Sequence, residues 1–200
     1  MYAITKARQL ADKIFLMDVK APRVAKRCCP GQFVIVKMDE HGERIPLTIC
    51  DYNREEGIIT IVFQVVGAST EKMSHLKEGD SFRDFTGPLG MPSEFVSEDI
   101  EELKNKKILF VAGGVGTAPV YPQVKWLKEQ GVDADVIVGA KNKELLILED
   151  EMKAVAGNLY VTTDDGSYGR KGMVTEVIKS LVNDEHKHYD VCVAIGPMIM

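Results

Sequence analysis

The sequence predicts an all-β first half, an antiparallel barrel or sandwich, followed by an α/β second half built on a parallel sheet. Three observations carry this. Up to Asp84 the apolar residues come in short β-branched or period-two runs separated by turn residues, the signature of short strands at close spacing. From Lys106 the texture changes to apolar strand, glycine turn and amphipathic helix, repeated along the chain. A length of 200 residues suits one large domain or two small ones.

In the first half, residues 14–19, 32–38 and 58–66 read as strands. Pro30-Gly31, His41-Gly42-Glu43 and Asn53-Arg54-Glu55-Glu56-Gly57 supply the turns between them. Residues 70–76 read as one short helix before the Glu78-Gly79-Asp80 turn, and residues 91–105 as the link between halves. In the second half, residues 107–112 form a continuous apolar run, as expected of a strand buried on both faces. A helix over 119–130 ends at Gly131; strand 134–139, helix 149–156, strand 159–163, helix 173–181 and strand 190–195 follow. Trp126 falls among helical apolar positions and is expected in the core.

Composition excludes several classes. Hydrophobic residues make up 45% and charged residues 28%, ordinary for a globular chain with a real core. The formal charge of −5 argues against nucleic acid as partner, and the run Lys104, Lys106 and Lys107 is interrupted by Asn105. No apolar run approaches the ~20 residues of a membrane span, and the N-terminus lacks the apolar core of a signal peptide, so a cytoplasmic location is the default. Cys28, Cys29, Cys50 and Cys192 lack metal or redox spacing and read as free thiols. No metal site is expected. His41, His75, His186 and His188 show no ligand spacing.

Three glycine sites end strands of the second half. Gly113-Gly114-Val115-Gly116-Thr117-Ala118-Pro119 lies between a buried strand and a helix, where backbone N–H groups and the helix terminus suit a phosphate. Its spacing is not G-x-G-x-x-G, and a tight turn shaped for backbone reasons is the alternative. Thr163-Asp164-Asp165-Gly166-Ser167-Tyr168-Gly169-Arg170-Lys171-Gly172 follows the third strand. A carboxylate of Asp164 or Asp165 there could accept from a ribose diol and repel a 2′-phosphate, which Arg170 and Lys171 would offset; a polar turn capped by Asp is the alternative. Gly196-Pro197 closes the fourth strand. In the first half, Arg44-Ile45-Pro46-Leu47-Thr48 sits at a strand entrance, and Gly67-Ala68-Ser69-Thr70 leads into the short helix. The guanidinium could grip phosphate and the turn could cradle a pyrophosphate. The alternatives are a solvated Arg44 and an N-cap at Ser69 or Thr70.

Taken in this order, these segments resemble the ferredoxin–NADP reductase superfamily over essentially the whole chain. The match looks closer to the branch holding the electron-transfer subunit of NAD-dependent dihydroorotate dehydrogenases and the small subunit of NADH-dependent reduced ferredoxin:NADP oxidoreductase. Residues 163–172 are the most specific element. The resemblance implies a Greek-key β-barrel over 1–97 that binds FAD and an α/β domain over 98–200 that binds NAD(P). Pro46, Leu47 and Thr48 would lie along the flavin, with Gly67, Ser69 and Thr70 at its pyrophosphate and Arg44 nearby. Gly114, Gly116 and Thr117 would face the nicotinamide nucleotide's phosphates, Asp165 with Asp164 its adenosine ribose, and Gly196 and Pro197 the nicotinamide. Hydride would pass directly between the two rings, with no catalytic acid or base.

The implied function is a flavoprotein oxidoreductase subunit that passes electrons to an iron–sulfur or flavin-containing larger subunit, with ferredoxin a candidate acceptor. A dihydroorotate dehydrogenase electron-transfer subunit is the near alternative; a flavin-free nucleotide-sensing module is the alternative from another class. Asp164 and Asp165 lean the nucleotide choice to NAD. The sequence departs from the superfamily pattern in three places: Leu47 replaces the aromatic of R-x-Y-S, Arg44 stands one residue early, and Ile195 replaces the cysteine before Gly196. The branch also carries a C-terminal [2Fe–2S] segment. The chain stops at Met200 without those cysteines, so truncation of a cluster-bearing parent is expected.

Overall fold

The computed structural model describes residues 1–197. The chain divides into two compact units, one spanning Met1–Val96 and one from Ser97 onward.

The first unit is a seven-stranded antiparallel sheet: β1 (Tyr2–Ala11), β2 (Ile14–Lys20), β3 (Phe33–Lys37), β4 (Ile45–Asn53), β5 (Ile58–Gln64), β6 (Ser81–Phe82) and β7 (Asp84–Leu89), in spatial order β6-β1-β2-β5-β4-β3-β7. The two edge strands are consecutive in sequence, separated by Arg83 alone, whose N–H donates to the carbonyls of Lys37 (2.9 Å) and Met38 (3.2 Å). The sheet therefore curls into a nearly closed Greek-key barrel, and closure hides the edges an open sheet would leave unpaired. Ile4, Met17, Val19, Val34, Val36, Ile49, Ile59, Ile61 and Phe82 fill it.

β1 was not foreseen, because in Tyr2–Ala11 the large apolar residues, Tyr2, Ile4 and Leu10, are spread out and separated by alanines and polar residues. Helix α1 (Pro22–Ala25) starts on a proline, whose fixed φ suits the first turn. Helix α2 (Ala68–Ser74) begins two residues before the expected start. Its N-cap is Gly67, not Ser69 or Thr70: Thr70 stands at the third helical position, and its Oγ1 accepts from Gly67 N–H (3.1 Å).

The second unit opens with α3 (Ile100–Asn105), inside the segment read as linker. Asp99 caps it, accepting from the N–H groups of Glu101 (2.9 Å) and Glu102 (3.2 Å). The sheet comprises β8 (Ile108–Gly113), β9 (Ala134–Ala140), β10 (Asn158–Thr163), β11 (Arg170–Lys171) and β12 (Val191–Ile195), all parallel, in order β11-β10-β9-β8-β12. Helices α4 (Thr117–Glu129) and α5 (Glu149–Val155) and helix α6 (Val174–Lys179), which runs into a wider turn over Ser180–Asp184, supply the crossovers.

Period two along β8 explains the continuous apolar run. Leu109 and Val111 pack with Val174, Val177 and Leu181, while the alternate residues Ile108, Phe110 and Ala112 are buried on the other face. α4 buries Val120, Val124 and Leu127. Trp126 is only half-buried, since it lies off that stripe. Among the described residues no helix is long and apolar enough to cross a membrane.

Candidate functional site

The strand order of the second unit fixes where its ligand crevice lies. From β8 the chain winds outward through β9, β10 and β11, then returns to place β12 on the opposite side of β8. Strand order thus reverses between β8 and β12, and ligands of open parallel sheets bind at such a point, beyond the carboxyl ends. Two of the sequence-derived segments end those two strands: Gly114–Thr117 follows β8, and Gly196-Pro197 follows β12.

The contact there is very close. A Cβ on Gly116 would stand 2.3 Å from the Ile195 carbonyl oxygen and 3.2 Å from Gly196 Cα, so only glycine fits. Gly114 is constrained differently. Its φ is +54°, and nothing lies within 4 Å of where its Cβ would be. The turn therefore leaves open space at Gly114, ahead of the 13-residue α4, whose dipole favours an anion. Thr117 is fully buried, and its hydroxyl donates to Gly114 O (2.9 Å). Its side chain shapes the turn.

The loop after β10 separates its two carboxylates. Asp165 Oδ1 accepts from Ser167 N–H (2.9 Å) and Ser167 Oγ (2.7 Å), and these bonds hold the Asp165 carboxyl below the ordinary carboxylate range. Asp164 is exposed, and its carboxylate joins no side-chain hydrogen bond or ion pair among the described residues. Ser167 Oγ also accepts from Lys143 N–H (2.9 Å), tying this loop to the one after β9. Tyr168 donates to Glu149 (2.8 Å), and Lys143 Nζ lies 5.1 Å from the Tyr168 ring centroid. Gly169, at φ +64°, could carry no side chain: a Cβ would meet Val161 O at 2.3 Å. Arg170 and Lys171 are exposed and form β11.

In the first unit the pleat sorts the 44–48 segment. Ile45 and Leu47 pack against the barrel core; Pro46 and Thr48 point the other way. Pro46 and Thr48 therefore share the outer face, and Leu47 the inner one. On the outer face Thr48 pairs with Phe33 and Pro46 with Ile35, and Phe33 pairs in turn with Leu89. These residues are partly or fully exposed. They make an apolar platform on the outside of the barrel, next to Gly90, where a Cβ would stand 2.9 Å from the Phe33 ring. Phe33, Ile35 and Leu89 were not singled out from sequence. The available signal was that β3 is apolar at every position from Phe33 to Val36, so both its faces need cover.

The turn into α2 is equally defined. Thr70 Oγ1 accepts from the N–H of Val66 (2.9 Å) and of Gly67, and donates to Gly67 O (2.9 Å). No atom lies within 4 Å of a Cβ position on Gly67, so the turn has an open front. Ser69 Oγ donates to the Glu43 carboxylate, and Lys72 pairs with Asp39, so the loop before β4 is tied to α2. Arg44 extends from that loop, 61% exposed, with Asp84 3.9 Å away.

Among the described residues no three of His, Cys, Asp and Glu stand together as metal ligands, and all four cysteines are free thiols. That donor set does not fit a [2Fe–2S] cluster. Burial pushes the Cys28 thiol up to about 11, against the opposing pull of Arg54, so it behaves as a small apolar core group.

A nearly closed antiparallel barrel followed by a parallel five-stranded sheet is the two-domain fold of the ferredoxin–NADP reductase-like proteins. No family model matches the chain. It is 60% identical over 200 residues to an uncharacterised protein of the adh 3′ region of Clostridium beijerinckii, covering 100% of this chain and 68% of that one. It is 35% identical over 195 residues to the electron transfer subunit of dihydroorotate dehydrogenase B (NAD(+)) of Fusobacterium nucleatum, covering 96% of this chain and 73% of that subunit. A solved NADH-dependent reduced ferredoxin–NADP oxidoreductase, described for flavin-based electron bifurcation, superposes with a TM-score of 0.88 at 42% identity, covering 100% of this chain and 69% of that one. The chain belongs to the family of dihydroorotate dehydrogenase B electron-transfer subunits.

Proposed function

We propose that this chain is an electron-transfer flavoprotein subunit that exchanges hydride between NAD(H) and FAD and relays electrons to an iron–sulfur or flavin-containing larger subunit, in the manner of a ferredoxin:NADP oxidoreductase. The observation that carries the reading is the glycine turn at the β8/β12 switch point, with its open, left-handed Gly114 at the head of α4. The whole-chain likeness to the NADH-dependent oxidoreductase supports it.

In this reading the first unit holds FAD. Pro46 and Thr48, with Phe33 and Ile35, offer the flat apolar face that a ring system needs, and Thr48 adds a hydroxyl at its edge. Leu47 supports that face from the core side. The Gly67–Thr70 turn takes the pyrophosphate: Gly67 by its open backbone, Ser69 by its hydroxyl and Thr70 by holding the turn. Arg44 is near enough to Asp84 to be held in place and exposed enough to meet phosphate. The second unit holds NAD(H). Gly114 and Gly116 face its phosphates, Thr117 fixes their turn, Asp164 and Asp165 serve the adenosine ribose, and Gly196 and Pro197 border the nicotinamide. Bound together, the two cofactors supply hydride exchange between pyridine and flavin rings and one-electron release to the partner. The chain's own residues bind and orient; no side-chain acid or base is assigned a proton. A carboxylate beside the ribose favours NAD over NADP by repelling a 2′-phosphate.

Absorbance tests this. Purified protein given FAD should be yellow, and anaerobic NADH should bleach it. A protein that stays colourless after FAD addition overturns the reading and favours a nucleotide sensor. Membership of the dihydroorotate dehydrogenase B family supports a second reading of the partner, and co-purification with the larger subunit separates the two.

A further inference from the structure

One cavity of the second unit takes no part in the site described above. It lies at the opposite end of the sheet from Gly114–Thr117, where β8, β9, β10 and β12 begin. Its volume is about 620 Å³, within the range of small-molecule pockets. Asp135, near the start of β9, anchors its wall. Asp135 Oδ1 accepts from the Asn158 amide (2.7 Å), and Oδ2 accepts from Lys187 Nζ (3.1 Å) and the Tyr189 hydroxyl (2.7 Å). Lys187 also donates to the Tyr160 hydroxyl, and its Nζ stands 5.2 Å from that ring's centroid. Burial opposes ionisation of Asp135, but its three donors outweigh burial and keep it a carboxylate. Side chains from β9, β10 and the approach to β12 thus meet on one ionised group whose side chain is only 15% exposed. An apolar cluster would hold these strands at least as well, so packing alone does not account for an ion pair facing a cavity.

Among the described residues, the hydrogen-bonding capacity left unused identifies what the cavity can hold. Lys187 has one N–H left of three, and the Asn158 amide one of two. Lys107, exposed at the rim, has an ammonium that joins no ion pair or side-chain hydrogen bond among the described residues. On the acceptor side, Asp135 Oδ1 has a single donor, and Asp133 gives one oxygen to Lys128 (2.7 Å) and leaves the other. The charges balance. Lys107, Lys128 and Lys187 stand against Asp133, Asp135 and Asp190, the last accepting from Lys107 N–H (2.7 Å) and lying 3.3 Å from His188. A simple anion would meet Asp133 and Asp135, and a simple cation would meet Lys107 and Lys187. A molecule that carries both charges and no net charge suits all four. We propose that this cavity binds a small zwitterion of the α-amino acid class, its carboxylate on Lys107, Lys187 and the Asn158 N–H and its ammonium on Asp133 and Asp135. Ile108 and Tyr189 add apolar surface for its side chain. These residues lie outside the proposed cofactor sites, so the test needs no bound flavin or nucleotide.

The experiment follows the NMR signals of the whole protein while the common amino acids are added, first as pools and then singly, to about 10 mM, enough to fill most of a site of millimolar affinity. At least one amino acid should shift the signals of Lys107, Asn158 and Tyr189 together and leave those of Gly114–Thr117 in place. Its N-acetyl derivative, which keeps only the carboxylate, and its amide, which keeps only the ammonium, should each bind about tenfold more weakly. Lys107→Gln alters an exposed side chain with no partner to lose, so its melting point should match the wild type while its affinity falls about tenfold. Asp135→Asn should lose as much affinity; it also loosens residues 187–190, so Lys107→Gln carries the test. The proposal is overturned if no amino acid moves these signals, or if Lys107→Gln binds as tightly as the wild type. Acetate or the N-acetyl derivative binding as well as the amino acid would also overturn it, showing a site for simple anions.

Discussion

Gly116 and Gly114 stand two residues apart in one turn and fail for different reasons when given a methyl group. In Gly116→Ala the new Cβ would sit 2.3 Å from Ile195 O and 2.8 Å from Ile195 C. Both are backbone atoms of β12, so no side chain can swing away. Carbon contacts are comfortable only near ~3.5 Å, which means that β12 or the turn must move by about 1 Å. Overpacking of this kind costs about 1–3 kcal/mol. For a chain of this size, that lowers the melting point by roughly 2–12 °C. In Gly114→Ala nothing collides, and the penalty is the left-handed φ of +54°, about 1–2 kcal/mol. The methyl group would, however, stand in the space proposed for a phosphate. Thermal unfolding paired with NADH titration separates the two. Gly116→Ala should lose the more stability, and Gly114→Ala should lose more NADH affinity than its stability loss explains. A Gly116→Ala protein as stable as wild type would refute the close approach at the switch point. A Gly114→Ala protein binding NADH normally would remove the phosphate from this turn.

Other outcomes follow from the same geometry. Replacing Thr70 with Val removes an acceptor for two backbone N–H groups; it should destabilise the first unit by about 1 kcal/mol and weaken FAD binding, measured by flavin fluorescence, whereas Ser should restore both. Asp164→Asn should raise the rate with NADPH relative to NADH, while Asp165→Ala should loosen the 163–172 loop in hydrogen exchange; equal nucleotide preference in Asp164→Asn and wild type would reassign the ribose contact. Burial pulls the Asp135 carboxyl upward, but donors from Asn158, Tyr189 and Lys187 outweigh it and hold the group below its ordinary 3.8. Its contribution is therefore full above about pH 4 and is lost as pH falls through the depressed value; exchange at residues 187–190 should accelerate in acid, and in Asp135→Asn already at neutral pH. Cys28 should resist alkylation until the barrel unfolds, and labelling of the native protein at that thiol would contradict its burial.

Much of the second unit was legible because its signals are local. A strand buried on both faces writes a continuous apolar run, and β8 did so at Ile108–Gly113. A glycine turn before a helix is likewise contiguous, which is why residues 113–119, 163–172 and 196–197 stood out. The first unit was harder. β1 carries little contiguous apolar signal: it pairs with β2 and β6 and sends mainly Ile4 into the core.

The hydroxyls show the limit most clearly. Thr70 and Thr117 have the composition of phosphate ligands, yet each binds its own turn. A neighbouring carbonyl or N–H and a ligand oxygen make the same demand on a side chain, and only backbone geometry says which is nearer. Leu47 is similar: the sequence places it between Pro46 and Thr48, but the pleat turns it into the core. By itself, then, the sequence determined the two fold classes, the alternation of β8, α4, β9, α5, β10, α6 and β12, and the glycine-bearing turns, because each of these is written within a few neighbouring residues. Tertiary structure alone decided that β12 returns to the far side of β8, creating the switch point at Gly116, and that Phe33 and Ile35 join Pro46 and Thr48 on one outer face. Those arrangements depend on pairings between strands far apart in the chain, and no local pattern encodes which partner a strand will find.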